Sequence, residues 1–508
     1  MRRLAVVVVL IAGPTCGLLL ALSDTNTAAI GIGILAAALV ALMLLLAAGR
    51  RRRPAVAVEA EAGEPPSQAA FWTVRLFFPL MSAAIVTQGL SVFLLLGMAF
   101  IVLITTRRTG GYGNALVPTF ALTVLSAIAW IIGFGFTETL SAPRLLLVFA
   151  FALATWCVLL VILQTASRHG SLVVRALVDS LALYLLVSVA AYYVLGLRSG
   201  AEENRLLATS TLGFGTRVTF PLSYALSTPP FVAAAFLGAA LVLWRKISAR
   251  HRLAYLAASA PAVIVLLNAA NRTPILVAVA VCLVALVAPR LIVRVALPVA
   301  LAALTLPLWW SAAQGVIAPA LQTLSSSVPF LDRGVVDQYA SLQDRANIWR
   351  VVTDKAASMD PVQLAFGSGA IGQRPSGLAA GYSSYFGNLG DPLDGSAHSA
   401  LLQQFTDTGI VGAALLLGIV LQAGLVLRRS DDSSTPALAV VYVVLATCGA
   451  VESALSTGSP SELAWLLPVV LATGLVLVRE PVGTRVPRMA ARHRPWSGRR
   501  PEPRAATN

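Results

Sequence analysis

The chain has 508 residues, 57% of them hydrophobic and only 12% charged, with a mean hydropathy of +0.81. About a quarter of an ordinary soluble domain is charged, so this composition excludes a soluble globule and indicates a protein that crosses the membrane many times. The net charge of +15 does not mark a nucleic-acid surface, because the basic residues collect in short connectors and in the tail after Val478, where membrane proteins keep their cytoplasmic charge.

Taken in order, the chain opens with Arg2 and Arg3 before an apolar run, a pattern that resembles a signal peptide. A second apolar run follows at once and ends in Arg50 to Arg53, so the expectation is an N-terminal transmembrane hairpin (residues 1–49) with both ends cytoplasmic. Residues 50–74 hold the acidic, Pro-containing stretch AVAVEAEAGEPPSQAAF and read as a cytoplasmic linker. A transmembrane core is expected over 75–310, with 75–105 crossing twice as a tight hairpin near Gly89 and single spans at 115–136, 144–164, 172–195, 219–243, 252–270, 274–289 and 291–310. The double crossing is required if Arg50 to Arg53 are to lie inside together with Arg107, Arg108, Arg168, Arg175, Arg245, Lys246, Arg290 and Arg294. Residues 311–404 form a large extracytoplasmic loop with amphipathic helices. Residues 405–478 carry three more spans, at 405–427, 436–455 and 462–478. A basic, Arg/Pro-rich cytoplasmic tail fills 479–508. The expected fold is an all-α polytopic membrane protein of about fourteen transmembrane helices, both termini cytoplasmic.

The four cysteines, Cys16, Cys157, Cys282 and Cys448, all fall in apolar runs, with neither a disulfide framework nor metal-ligand spacing. Chemistry must come from elsewhere. Asn271-Arg272-Thr273 lies between two apolar runs with almost no loop, and charge at such a depth marks a functional site unless the side chain reaches the headgroups. In the long loop, YASLQDRANIWRVVTDKAASM (339–359) has helical periodicity. Leu342, Ala346, Trp349, Val352 and Ala356 share a face with Arg345, a guanidinium that either pairs with a nearby aspartate or grips phosphate in a bidentate fork. FGSGAIG (366–372) is too short and too far from any strand for a nucleotide loop and reads as a tight turn near the bilayer. His398 is one of four histidines, and the others (His169, His251, His493) fall in expected cytoplasmic segments. It opens HSALLQQFTDTG, where a neutral imidazole suits a general base and where the plainer role is a helix cap.

An outward arginine at a span end, R-A-N-I-W in a long outer loop, a G-S-G turn and H-S-A-L-L-Q-Q-F-T-D-T-G-I-V-G opening a span resemble, in that order, the O-antigen ligase and polymerase family. The specific motifs lie within 271–413, and Ser399 stands where many members have asparagine. The resemblance implies a twelve-helix core similar to membrane glycosyltransferases of the C type, with the N-terminal hairpin as an addition. It implies a metal-independent enzyme of the cytoplasmic (plasma) membrane, without cofactor or nucleotide, that moves a glycan from a polyprenyl-diphosphate donor to a glycan or lipid acceptor on the outer face. Arg272 and Arg345 would hold the diphosphate, with Arg217 in GFGTRVTFPLSYA as a further donor contact, and His398 would act on the acceptor hydroxyl. A ligase and a repeat-unit polymerase fit equally well. A transporter or scaffold is the reading from another class, its intramembrane candidates being Asp179 and Glu452, but paired broken spans of the inverted-repeat kind are not evident.

Overall fold

A computed structural model describes residues 68–87, 89–105, 113–136, 142–165, 169–197, 218–223, 227–269, 271–327, 345–370, 376–378, 396–457 and 461–478. The N-terminal hairpin, most of the linker, Arg217 and the basic tail lie outside these residues. Every regular element among the described residues is helical.

The first two helices, α1 (Gln68–Ser82) and α2 (Leu90–Thr105), pack on each other through a turn in which Gly89 takes φ +91°. That left-handed value is open to glycine at no steric cost, and it closes the hairpin where the sequence places it. Next come α3 (Val117–Phe136), α4 (Ala142–Thr165), α5 (Gly170–Tyr193), α6 (Thr228–Leu243), α7 (Ala249–Asn268), α8 (Arg272–Val287) and α9 (Pro289–Leu304). Of these, α4, α5 and α7 are long and apolar enough to span a bilayer, as is the later α13 (Ala400–Arg429). α10 (Leu306–Ser327) leaves α9 at 91°, and the pair makes a fifth candidate if counted as one span. The protein is thus a multi-pass membrane protein.

The bend after Leu304 corrects the expected span 291–310. Pro307 has no N–H to continue the helical ladder and is tolerated in a first turn, so the chain begins a new helix there instead of extending the old one. The Thr305 hydroxyl donates to the Leu301 carbonyl at 2.7 Å and accepts from the Trp309 indole at 3.3 Å, which ties the corner together.

Beyond it lie α11 (Arg345–Ala356), the short α12 (Pro361–Phe366), α13, α14 (Thr435–Val451) and α15 (Leu466–Val478). α14 is the axis of the bundle. It is buried along nearly its whole length and packs on α6, α9, α13 and α15. Basic residues Lys246, Arg290, Arg428 and Arg429 collect at one end of the bundle. The ends of α9, α14 and the start of α13 meet at the other, where a side chain on Gly449 would lie 2.8 Å from Leu304 Cδ2 and 3.3 Å from Ala400 Cβ.

α13 is not one rod. Gly409 has φ +68° and ψ −167°, which splits it into a short piece, 400–408, and a long one, 410–429. The break frees backbone carbonyls, and the FGSGAIG stretch takes them up: Ser368 N–H donates to Thr406 O at 2.9 Å and Gly369 N–H to Asp407 O at 3.1 Å. Two backbones cross so closely there that a Cβ on Gly409 would lie 2.2 Å from the Ala365 carbonyl, and one on Gly367 2.4 Å from Thr408 N. Gly367 and Gly369 serve a helix break.

Candidate functional site

Three ionisable side chains from three distant parts of the sequence meet at the end of α14. Arg345, the first residue of α11, donates through Nε to the Val451 carbonyl at 3.0 Å and through Nη2 to Glu452 Oε1 at 3.0 Å. His398 Nδ1 lies 3.4 Å from the other carboxylate oxygen, Oε2. Glu452 is the residue after α14, turned extended at φ −140° and ψ 150°, so its carboxylate leaves the helix axis and points between Arg345 and His398. The three side chains are only 17–28% exposed, so the pairing is sheltered but reachable.

Burial alone would push the Glu452 carboxyl up. The hydrogen bond with His398, the charges of Arg345 and His398 and the Arg345 hydrogen bond together outweigh it and hold the carboxyl down at about 2. Glu452 is therefore a carboxylate at any physiological pH. A carboxylate only accepts, so the hydrogen bond requires the proton on His398 Nδ1 and, in the neutral ring, leaves the lone pair on Nε2.

The backbone around His398 is built to hold that ring. His398 has φ +45°, the one positive φ at a non-glycine residue among the described residues, a conformation that costs about 1–3 kcal/mol and persists only where neighbours impose it. Here they do. The preceding peptide is clamped on both sides: Trp349 Nε1 donates to the Ala397 carbonyl at 3.1 Å, and Ala397 N–H donates to Gln403 Oε1 at 3.2 Å. Gln403 is aimed in turn by Asp407, whose two oxygens accept from its Nε2 at 3.1 and 3.0 Å. His398 N–H donates to Ser396 Oγ at 3.2 Å. Because Trp349 lies one helical turn beyond Arg345, the same helix that brings the guanidinium also fixes the turn that carries the imidazole. Trp349 packs with Trp310, Ile348, Val352, Ala397 and Leu402 in a separate apolar cluster beneath this layer.

One alternative is corrected here. His398 does not cap a helix: Ser399 is the N-cap of α13, its hydroxyl accepting from Leu402 N–H, and His398 precedes it. The ring is oriented by a carboxylate rather than by a helix terminus. Arg345 pairs with Glu452, 107 residues later in the chain. Buried Gln404 supports the other side of the short helix, its Oε1 accepting from Ser456 Oγ at 3.2 Å, Thr457 N–H at 3.0 Å and Thr457 Oγ1 at 3.1 Å. Thr457 extends the network to α3 through Ser126 and the Trp130 indole.

The structure thus brings Arg345 and His398 together, and the residue that joins them is Glu452, which the sequence marks only as an acid at the end of an apolar run. Arg272 opens α8 at the same end of the bundle as Glu452: α8 meets α6 and α14 near its other end, where Val281 and Val440 both approach Gly238. Arg272 is half-buried and is not an ion partner of Glu452. The segment Val218–Ser223 lies against this level, Val218 N–H donating to the Asn268 carbonyl at 2.9 Å.

Residues 257–417 match the family model described as O-antigen ligase. The chain carries an O-antigen ligase domain. That segment contains Arg272, Arg345 and His398, and it ends before Glu452. No curated protein matches the chain. An O-antigen ligase domain on a bundle of apolar helices makes this a membrane protein of polysaccharide biosynthesis, working in glycan transfer on lipid-linked substrates.

Proposed function

We propose that the protein is an O-antigen ligase-like transferase that moves a glycan from a polyprenyl-diphosphate donor to an acceptor hydroxyl, at the extracytoplasmic face of the cytoplasmic membrane. The observation that carries this reading is the Arg345–Glu452–His398 cluster: a sheltered imidazole whose Nδ1 meets a carboxylate, beside a guanidinium, at the head of apolar helices. A carboxylate behind Nδ1 leaves Nε2 as the basic nitrogen and stabilises the imidazolium once it forms.

In this mechanism His398 Nε2 takes the proton of the acceptor hydroxyl as its oxygen attacks the anomeric carbon. The bond from that carbon to the diphosphate oxygen breaks, and polyprenyl diphosphate leaves with the electron pair. Positive charge is needed where that negative charge develops. Arg272 and Arg217 supply it by binding the diphosphate. Arg345 adds its charge to the same field while two of its N–H groups hold Val451 and Glu452. Direct displacement inverts the anomeric centre, and a retained configuration in the product linkage would contradict that step.

The test is the pool of polyprenyl-diphosphate-linked glycan in cells carrying His398→Ala, resolved by chain length. Long lipid-linked chains accumulate if the protein is a ligase. Accumulated single repeat units would make it a polymerase. An unchanged pool, with the variant expressed at the parent level, would remove the transferase reading.

A further inference from the structure

The stretch from Asp360 to Ala370 belongs by sequence to the long loop, yet it exposes Val362 and Phe366 and pairs its non-helical N–H groups within the protein. We infer that α12 and the glycines after it form a re-entrant segment that dips into the hydrocarbon of the leaflet nearest the site and rests on its acyl chains.

Depth comes first. The long piece of α13, from Ile410 to Arg429, is about 30 Å long at 1.5 Å per residue, the thickness of the hydrocarbon core. It ends on Arg428 and Arg429, which belong at headgroup level, so Gly409 lies near the opposite hydrocarbon boundary. α12 is fixed against Gly409 by the backbone crossing, with Phe366 N only 2.4 Å from where a Gly409 side chain would begin.

The surface agrees. Val362 is 69% exposed and Phe366 56%, and Ile410, the residue after Gly409 in the crossing, is 52% exposed. Ile132, 41% exposed on α3, lies against the Gly369 turn. Exposed apolar side chains thus lie on α12 and on both helices that it crosses, α3 and α13. The polar boundary is also visible: Asp354, Lys355, Ser358 and Asp360 are exposed just before α12 and mark the headgroup side.

The backbone provides an independent reason. Irregular backbone is tolerated at membrane depth only where the protein satisfies its polar groups. Pro361 has no N–H, and the Asp360 carboxylate takes those of Val362 and Gln363 at 2.9 and 3.0 Å. The next non-helical N–H groups all find carbonyls: Gly367 with Gln363, Ser368 with Thr406, Gly369 with Asp407, and Ala370 with Ala129 at 2.7 Å. Because Ser368 and Gly369 hold the end of the short helix that follows His398, the dip sets the site at the headgroup level, where a lipid-linked diphosphate lies.

The test is maleimide labelling of Val362→Cys, Phe366→Cys and Lys355→Cys, each read as label above that of the parent, in open membrane sheets and again in detergent. Lys355→Cys labels in both. Val362→Cys and Phe366→Cys lose labelling in membranes and gain it in detergent. Labelling at the Lys355→Cys rate in membranes would place α12 in water and overturn the inference. Silence in detergent as well would show that protein covers the face, and would overturn it equally. None of these readings depends on glycan transfer, so the inference fails or stands apart from the proposed function.

Discussion

Arg75 and Asp179 meet at 2.9 Å on the middle turns of α1 and α5, and Arg345 and Glu452 meet at 3.0 Å across the ends of α11 and α14. Each pair has a third partner: the Tyr255 hydroxyl donates to Asp179 at 2.9 Å, and His398 meets Glu452 at 3.4 Å. The carboxylates are almost equally sheltered, at 16% and 17% exposed. Burial therefore does not distinguish the two pairs. The backbone does. Asp179 sits on an unbroken helix beside a tyrosine, and the cluster closes on itself as a brace between α1, α5 and α7. Glu452 sits past a helix end, opposite a left-handed histidine and a helix broken at Gly409, and strain of that kind clusters where side chains must be aimed.

The comparison breaks most sharply at His398. His398→Ala should lower glycan transfer by about 10²–10⁴-fold, the range for loss of a positioned general base, with little loss of folded protein. Glu452→Gln keeps the shape and removes the charge, and transfer should fall roughly 10–100-fold, as when the carboxylate behind a working histidine is removed. Gly409→Ala puts a methyl group 2.2 Å from the Ala365 carbonyl, so the α12 crossing must open. Thermal stability and transfer should fall together in that variant, measured by melting in detergent and by turnover per folded molecule. Asp179→Asn leaves Arg75 without its counter-charge and should cost roughly 2–3 kcal/mol of stability, while transfer per folded molecule stays at the parent level.

A pH series sharpens the same contrast. The Glu452 carboxyl is held at about 2 against an ordinary 4.5, so its contribution to stability is fully present above 4.5 and is lost as pH falls through about 2. The parent and Glu452→Gln should differ in melting temperature above pH 4.5 and converge near pH 2.

Much of the bundle is legible in the sequence because apolar runs bounded by arginines report spans directly, and the hairpin at Gly89 follows from charge placement alone. His398 and Arg345 are legible by motif. Glu452 stands out in the sequence as an acid at the end of an apolar run, but its role does not, because it stands 54 residues from one partner and 107 from the other. No periodicity spans such a gap; only the fold closes it. The right-angle corner after Leu304 is hidden for a different reason. Hydropathy runs on through Pro307, so an apolar count sees one span where the backbone turns. The FGSGAIG glycines are visible as a turn signal, while their partner, the break at Gly409, lies some forty residues away.

The most direct measurement is the pool of polyprenyl-diphosphate-linked glycan, normalised to folded protein, in cells carrying Glu452→Gln beside cells carrying Asp179→Asn. Accumulation of donor with Glu452→Gln, together with a parent-level pool with Asp179→Asn, is the predicted result. Clearance of donor at the parent rate by Glu452→Gln would contradict the account, because His398 would then work without the carboxylate that joins it to Arg345.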